Sequence, residues 1–261
     1  MADAGARSPL AGTRFGDVRR FEAIDSTNAW LLDQARQGAP EGLVAVADHQ
    51  MEGRGRLGRT WTAPPGTSLL VSVLLRPALD LERLHLATAV VALAAADACD
   101  QVAGVVPGLK WPNDLVVDGA KLAGILAEAD LAGDEVRSVV VGVGLNVSWL
   151  GREGAAGLPP GAVALDQLVG FAVDRDQLLV AVLVALEGRL RSLSGPAGQA
   201  TQAADYRRRC TTLGRLVRVE LGDETFTGTV ADVTPEGHLL VDIGTCLRRL
   251  TAGDVVHLRT V

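Results

Sequence analysis

The chain has only two lysines and three asparagines, and all five sit in short polar motifs. Asn28 follows Asp25-Ser26-Thr27. Lys110 and Asn113 share Lys110-Trp111-Pro112-Asn113-Asp114. Lys121 opens Lys121-Leu122-Ala123-Gly124-Ile125-Leu126, and Asn146 closes Gly142-Val143-Gly144-Leu145-Asn146. Arginine carries the remaining positive charge, and Arg does not replace Lys where a compact ammonium must do chemistry. Lys121 begins an apolar run, which implies burial on both sides and a desolvated ammonium that needs an anionic partner. Such an ammonium can hold a carboxylate and stabilise charge developing on it. A lysine at a hairpin end, snorkelling to water, accounts for the same spacing. Asp114 fits three roles: a loop anchor, a ligand to phosphate-borne Mg2+, or a turn cap, which is the commonest.

A second motif, Gly53-Arg54-Gly55-Arg56-Leu57-Gly58-Arg59, alternates small residues with guanidinium groups. Glycine lets a backbone approach a ligand closely, and the arginine fork binds phosphates and carboxylates. The pattern reads as a loop closing over an anion such as a nucleoside triphosphate, or equally as a solvated Arg/Gly segment. It is not a Walker A loop. Gln50 precedes it and can offer hydrogen bonds to a polar ligand edge. Trp61, Trp111 and Trp149 border the motifs and either stack on a planar ligand or fill the core. Taken singly, Ser26-Thr27 reads as helix-cap chemistry, and the glycines before Asn146 read as a strand end. No Ser/His/Asp or Cys/His set presents itself, which favours chemistry by positioning and electrostatics.

The elements that must hold these residues follow from periodicity. Strands are expected at Val18–Ile24, Leu43–Ala47, Leu69–Leu75, Leu115–Val117, Lys121–Ala127 and Val136–Val143. Helices are expected at Asn28–Gln37, Leu81–Ala98, Asp174–Leu193 and Gln199–Arg209. Asp118-Gly119 is a hairpin turn dipeptide. His49–Thr62 and Ser148–Ala162 read as loops. From Leu213 the texture changes to short strands with turns. The organisation is therefore a tail over 1–14 expected to be disordered, an α+β domain over 15–210 with a mixed sheet and flanking helices, and a small C-terminal β-barrel over 211–261.

Bulk properties narrow the class. A length of 261 residues supports one sizeable core and an appended small domain. The net charge of −6 argues against a general nucleic-acid binder. Three scattered cysteines suggest reduced thiols in the cytosol. The four histidines lie far apart in sequence, which disfavours zinc. The N-terminus has no apolar signal region, and Leu86–Ala98 is too short to span a bilayer. A cytoplasmic protein without membrane or DNA partners is expected.

Taken in order, Ser26-Thr27-Asn28, Gln50, Gly53 to Trp61, Lys110 to Asp114, Lys121 to Leu126 and Gly142 to Asn146 resemble the motif series of biotin protein ligases. The resemblance runs from about residue 18 to the C-terminus. It implies a class II aminoacyl-tRNA-synthetase-like catalytic domain with a Src-homology-3-like C-terminal domain. It also implies that biotin and MgATP give biotinyl-5′-AMP and pyrophosphate. The biotinyl group then passes to one lysine of a biotin carboxyl carrier protein, typically that of acetyl-CoA carboxylase. By that resemblance Ser26, Thr27, Asn28, Gln50, Gly53, Arg54, Gly55, Arg56, Lys121 and Gly124 contact biotin. Arg56, Arg59, Trp61, Lys110, Asn113, Lys121 and Asn146 serve ATP or the adenylate. Lys121, Arg54 and Arg56 carry the catalysis. No metal ligand is assigned beyond Asp114 as a candidate.

Two departures accompany the resemblance. Met51-Glu52 stands where the family has small or neutral residues, so Glu52 either weakens biotin retention or pairs with a loop arginine. Only a short stretch precedes Val18, where bifunctional members carry a winged helix-turn-helix, so a ligase without repressor activity is expected. A homodimer formed by sheet extension is left open. The alternatives are a lipoate or octanoyl protein ligase and a non-catalytic nucleic-acid-binding module.

Overall fold

The computed structural model describes residues 9–77, 79, 83–133, 135–152, 158–193, 195–222, 224–251 and 254–257. Its elements are β1 (Val18–Ile24), α1 (Thr27–Arg36), β2 (Val44–Gln50), β3 (Ser68–Leu75), α2 (Leu84–Ala103), β4 (Gly108–Lys110), β5 (Asp114–Val117), β6 (Ala120–Ala132), β7 (Glu135–Asn146), α3 (Leu165–Val169), α4 (Arg175–Ser192), α5 (Gly195–Arg209), β8 (Leu216–Leu221), β9 (Glu224–Val233), β10 (Leu239–Asp242), β11 (Leu247–Leu250) and β12 (Asp254–His257). The first seven strands form one mixed sheet in the order β1-β2-β3-β7-β6-β5-β4. Only β1 and β2 run parallel; the other neighbours are antiparallel.

β3 is buried along its whole length because both sheet faces are covered. Leu69, Val71, Val73 and Leu75 face the large core shared with α2 and α4, while Leu74 packs with Leu31 and Leu32 of α1. Alternation along a strand separates these two sets. On the α1 side, register aligns Ser72 with Gly142 and Leu126, and Leu70 with Gly144 and Gly124. Ser72, Gly142, Gly144 and Gly124, clustered over three strands, thus leave a depression on that face.

Helix α2 is longer than expected. Its 20 residues are long and apolar enough to cross a membrane, but 78% of the apolar window is buried inside the protein. The length argument against a span therefore fails, and packing against α4 and the sheet accounts for the composition. α3 and β4 escaped the sequence reading because they have 5 and 3 residues, too short for a period to show.

The other corrections are local. Residues 1–8 of the expected tail lie outside the described residues. Residues 9–14 are tied down: Leu10 packs on the core, and Arg14 pairs with Glu41 at 3.1 Å and Glu187 at 3.0 Å. β2 continues through Gln50, so the loop after it begins later than expected. Asp118 and Gly119 adopt φ of 51° and 81°, the left-handed pair the turn requires. The three cysteines are free.

The C-terminal strands form a separate antiparallel sheet in the order β11-β10-β9-β8-β12, consistent with a Src-homology-3-like domain. Trp111 anchors it to the first sheet. Its indole N–H donates to the Gly237 carbonyl at 2.9 Å, and its backbone N–H donates to Thr212 Oγ1 at 3.0 Å.

Candidate active site

A cavity of about 360 Å3 opens over the depression in the main sheet. Ser26, Thr27, Asn28, Gln50, Arg54, Gly55, Arg56, Arg59, Trp61, Lys110, Asn113, Asp114, Lys121 and Gly124 all line it. Gly53 and Asn146 do not. Gly53 lies behind the rim, where its carbonyl accepts from the Trp61 amide at 2.9 Å. Asn146 is buried at the end of β7, and its amide donates to the Val163 carbonyl at 3.1 Å and the Lys121 carbonyl at 3.5 Å. It holds the Lys121 backbone in place from behind.

The closed polar end of the cavity is one connected hydrogen-bond chain. Ser26 caps α1, and its hydroxyl accepts from the Ala29 amide. Thr27, in the first turn, has an amide without an intrahelical partner; that amide and the Thr27 hydroxyl donate to Gln50 Oε1 at 2.8 and 2.9 Å. Ser72 Oγ donates to Asn28 Oδ1 at 2.6 Å and lies 2.7 Å from Thr27 Oγ1, whose single hydroxyl proton serves either Gln50 or Ser72. Asn28 Nδ2 donates to Glu128 Oε2 at 2.8 Å, and Glu128 Oε1 pairs with Arg54 at 3.2 Å. Ser72 and Glu128 were missed by the sequence reading. Each is a polar interruption of an apolar strand, a signal that was available.

The Arg/Gly segment is a compact hairpin folded on itself. Arg54 pairs with Thr60 as a β-bridge, and the Gly55 amide donates to the Arg59 carbonyl at 2.6 Å. Leu57 sits at the tip with φ of 55° and 69% exposure. Arg56 reaches Asn113 Oδ1 at 3.3 Å. Glu128, not Glu52, takes the loop arginine; no ion pair involves Glu52 among the described residues.

Lys110-Trp111-Pro112-Asn113-Asp114 is a tight turn between β4 and β5, with Lys110 opposite Asp114 and a cis Trp111–Pro112 bond. Asn113 exchanges hydrogen bonds with the Ile125 backbone, its Nδ2 donating to that carbonyl at 2.8 Å. This docks the turn beside Lys121.

Lys121 is not desolvated: its side chain is 40% exposed. The expected anionic partner is present, with Asp114 Oδ1 2.7 Å from Lys121 Nζ. The ammonium also lies 5.6 Å from the centre of the Trp61 ring, within cation–π range. Trp61 and Lys121 converge over Gly124, where a β-carbon would come within 3.1 Å of the indole and 3.3 Å of Nζ. Trp111 and Trp149 are buried.

The second domain contributes Arg218, Glu220 and Val255 to the cavity wall. Nothing in the sequence alone places these residues there. Among the described residues no group of three or more His, Cys, Asp or Glu side chains is arranged to hold a metal.

Comparison with known proteins identifies the family. Residues 20–146 match the biotin/lipoate A/B protein ligase family, and residues 212–258 match the biotin protein ligase C-terminal domain. The biotin–[acetyl-CoA-carboxylase] ligase of Mycobacterium tuberculosis is 40% identical over 95% of this chain and 92% of its own length. The bifunctional ligase/repressor BirA of Bacillus subtilis is 30% identical over 90% of this chain and 72% of its own. The biotin protein ligase of Aquifex aeolicus, solved with biotin and ATP, superposes with a TM-score of 0.77 and 28% identity, covering 94% of this chain and 100% of that one. The chain belongs to the biotin/lipoate A/B protein ligase family, and within it to the biotin protein ligases.

Proposed function

We propose that this protein is an ATP-dependent ligase that activates biotin as biotinyl-5′-AMP and transfers it to one lysine of a biotin carboxyl carrier protein. The observation that carries this reading is the two-ended cavity. One end, built from Thr27, Gln50, Ser72 and Asn28, is a closed set of donors and acceptors. The other gathers Lys121, Arg56 and Arg59. A bicyclic urea with a carboxylate tail matches both ends. The urea group offers a carbonyl and two N–H groups to this polar end, whereas a dithiolane ring offers none, and that difference favours biotin.

In the first half-reaction a biotin carboxylate oxygen attacks the α-phosphorus of ATP. The bond to the β-phosphate oxygen breaks, and pyrophosphate leaves. Negative charge accumulates between the carboxylate and the phosphate oxygens. Lys121 offsets it, held over the cavity by Asp114, and Arg54 and Arg56 close from the loop. Lys110 and Arg59 add charge on the nucleotide side, and Trp61 and Asn113 form its walls. Asn146 supports Lys121 from behind. In the second half-reaction the carrier amine attacks the acyl carbon and AMP leaves. The adenylate is labile to water, so a loop that shields it favours transfer over hydrolysis.

Mg2+ accompanies ATP. The cavity wall carries two carboxylates, Asp114 paired with Lys121 and Glu220 paired with Arg218, a set that fits an ion held chiefly by phosphate oxygens and water. Asp114 would supply one ligand, and the ion would neutralise phosphate charge. We infer a cytoplasmic protein, a reading supported by its three free cysteines, whose protein substrate is the carrier domain of acetyl-CoA or a related carboxylase.

Incubation with biotin and MgATP should yield biotinyl-5′-AMP, detected by mass spectrometry, and addition of a carrier domain should consume it. An adenylate formed from lipoate and not from biotin would reverse the substrate assignment.

A further inference from the structure

Two of the four histidines, remote in sequence, meet in a second cavity of about 500 Å3 between the domains. Its wall contains His85 from α2, His238 from the turn before β10, Arg249 from β11, and Arg56 and Asn113 from the active site. Every titratable side chain among its described lining residues is basic, in a chain of net charge −6. His238 is 8% exposed and its Nδ1 has no hydrogen-bond partner; His85 Nε2 is likewise buried and unpartnered. Those two nitrogens are shut off from solvent, so each ring meets the cavity through its other atoms, beside the Arg249 and Arg56 side chains.

The arrangement is built into the domain junction. The His85 ring stands edge-on to Tyr206, with centroids 5.2 Å apart. Gly237 packs so closely on His85 that any β-carbon would collide with the imidazole. The nearby carboxylate of Glu236 is held by the Thr234 hydroxyl and does not line the cavity. No ion pair involves Arg249 among the described residues.

We propose that this cavity binds a phosphate-class oxyanion, with His85, His238 and Arg249 donating to it and Arg56 joining it to the catalytic cavity. Each imidazole can present an N–H to a phosphate oxygen, and guanidinium groups bind such oxygens in pairs. Arg56 lines both cavities, so the site adjoins the place where pyrophosphate is released. Its assignment to that leaving group rests on the proposed adenylation; inorganic phosphate offers the same chemistry.

The test is calorimetric titration of the intact protein with pyrophosphate and, separately, orthophosphate. It compares the unsubstituted chain with His238→Gln and Arg249→Gln. Arg249 is on an exposed strand position, so its replacement leaves the fold intact. Both substitutions should weaken anion binding by about tenfold or more, while biotin affinity measured on the same samples stays constant. Tighter binding of pyrophosphate assigns the site to the leaving group, and equal affinities assign it to free phosphate. Unchanged anion affinity in both variants, or no binding of either anion by the unsubstituted protein, overturns the proposal. Titration needs no turnover, so its outcome is independent of whether the protein makes an adenylate.

Discussion

The Trp61 indole lies against Gly144, in the volume that a β-carbon on that residue would occupy. The closing segment of the Arg/Gly loop is thus seated on the floor of the sheet. Gly144 pairs directly with Gly124 across β6 and β7, and Trp61 rests on both. Gly144→Ala should lift the indole, raise the KM for biotin about tenfold or more, and change tryptophan emission, with little loss of fold. Unaltered emission and KM would show that the loop is not seated this way.

Lys121→Ala should lower the adenylation rate by about 10²–10³-fold, the scale for losing one group aimed at developing transition-state charge. Its side chain is partly exposed, so the melting temperature should hardly move. Single-turnover formation of biotinyl-5′-AMP separates this effect from carrier transfer. A near-normal rate would remove Lys121 from its assigned role.

Glu128 joins the closed polar end of the cavity to the loop through Asn28 and Arg54. Glu128→Gln keeps the shape and removes the charge. Losing a charge-assisted hydrogen bond costs about 1.5–3 kcal/mol when buried, and Arg54 is 47% exposed, so the low end applies. The KM for biotin should rise about tenfold, with kcat less affected. A fall in kcat alone would place Glu128 in the chemistry instead.

These residues show how far the sequence could be read. The lining of the cavity was legible because Lys121, Asn113, Gln50 and the loop arginines stand in short motifs whose residue types carry meaning. Glu128 and Ser72 were passed over because each looks like an ordinary polar break in a strand. Gly142 and Gly144 were read as a strand end, yet they lie inside β7; their reason is contact with Asn28 and Trp61, which are distant in sequence. The desolvation expected of Lys121 came from its apolar neighbours. A register shift between β5 and β6 at Leu115/Val116 breaks the alternation there, so Leu122, Ala123 and Ile125 join the core while the ammonium reaches over Gly124. Arg218, Glu220 and the His85–His238 junction depend on how two domains meet, which no local pattern encodes.

Trp111→Phe should loosen that junction. It leaves the Gly237 carbonyl without its donor, at a cost of about 1–2 kcal/mol. Denaturant unfolding should shift to a lower midpoint, and the two sheets should become separable by hydrogen exchange. An unchanged midpoint would mean that the indole bond contributes nothing net.

Acid should weaken the fold through His85. Burial, reinforced by the nearby His238 and Arg56, lowers its pKa from 6.5 to about 4. The unfolded chain therefore binds a proton between those values and the folded protein does not. Stability from this group is intact above the unfolded pKa and declines as pH falls from 6.5 towards about 4. The loss is at most about 3 kcal/mol. Urea unfolding at both ends of that range should show it, and His85→Gln should flatten the slope. The same slope in the variant would assign the acid effect elsewhere.

The central claim is most directly tested by exchange of labelled pyrophosphate into ATP, measured with biotin and, in parallel, with lipoate. Exchange that depends on biotin and is absent with lipoate is the predicted result. Exchange with neither acid, or with lipoate alone, would contradict the assignment.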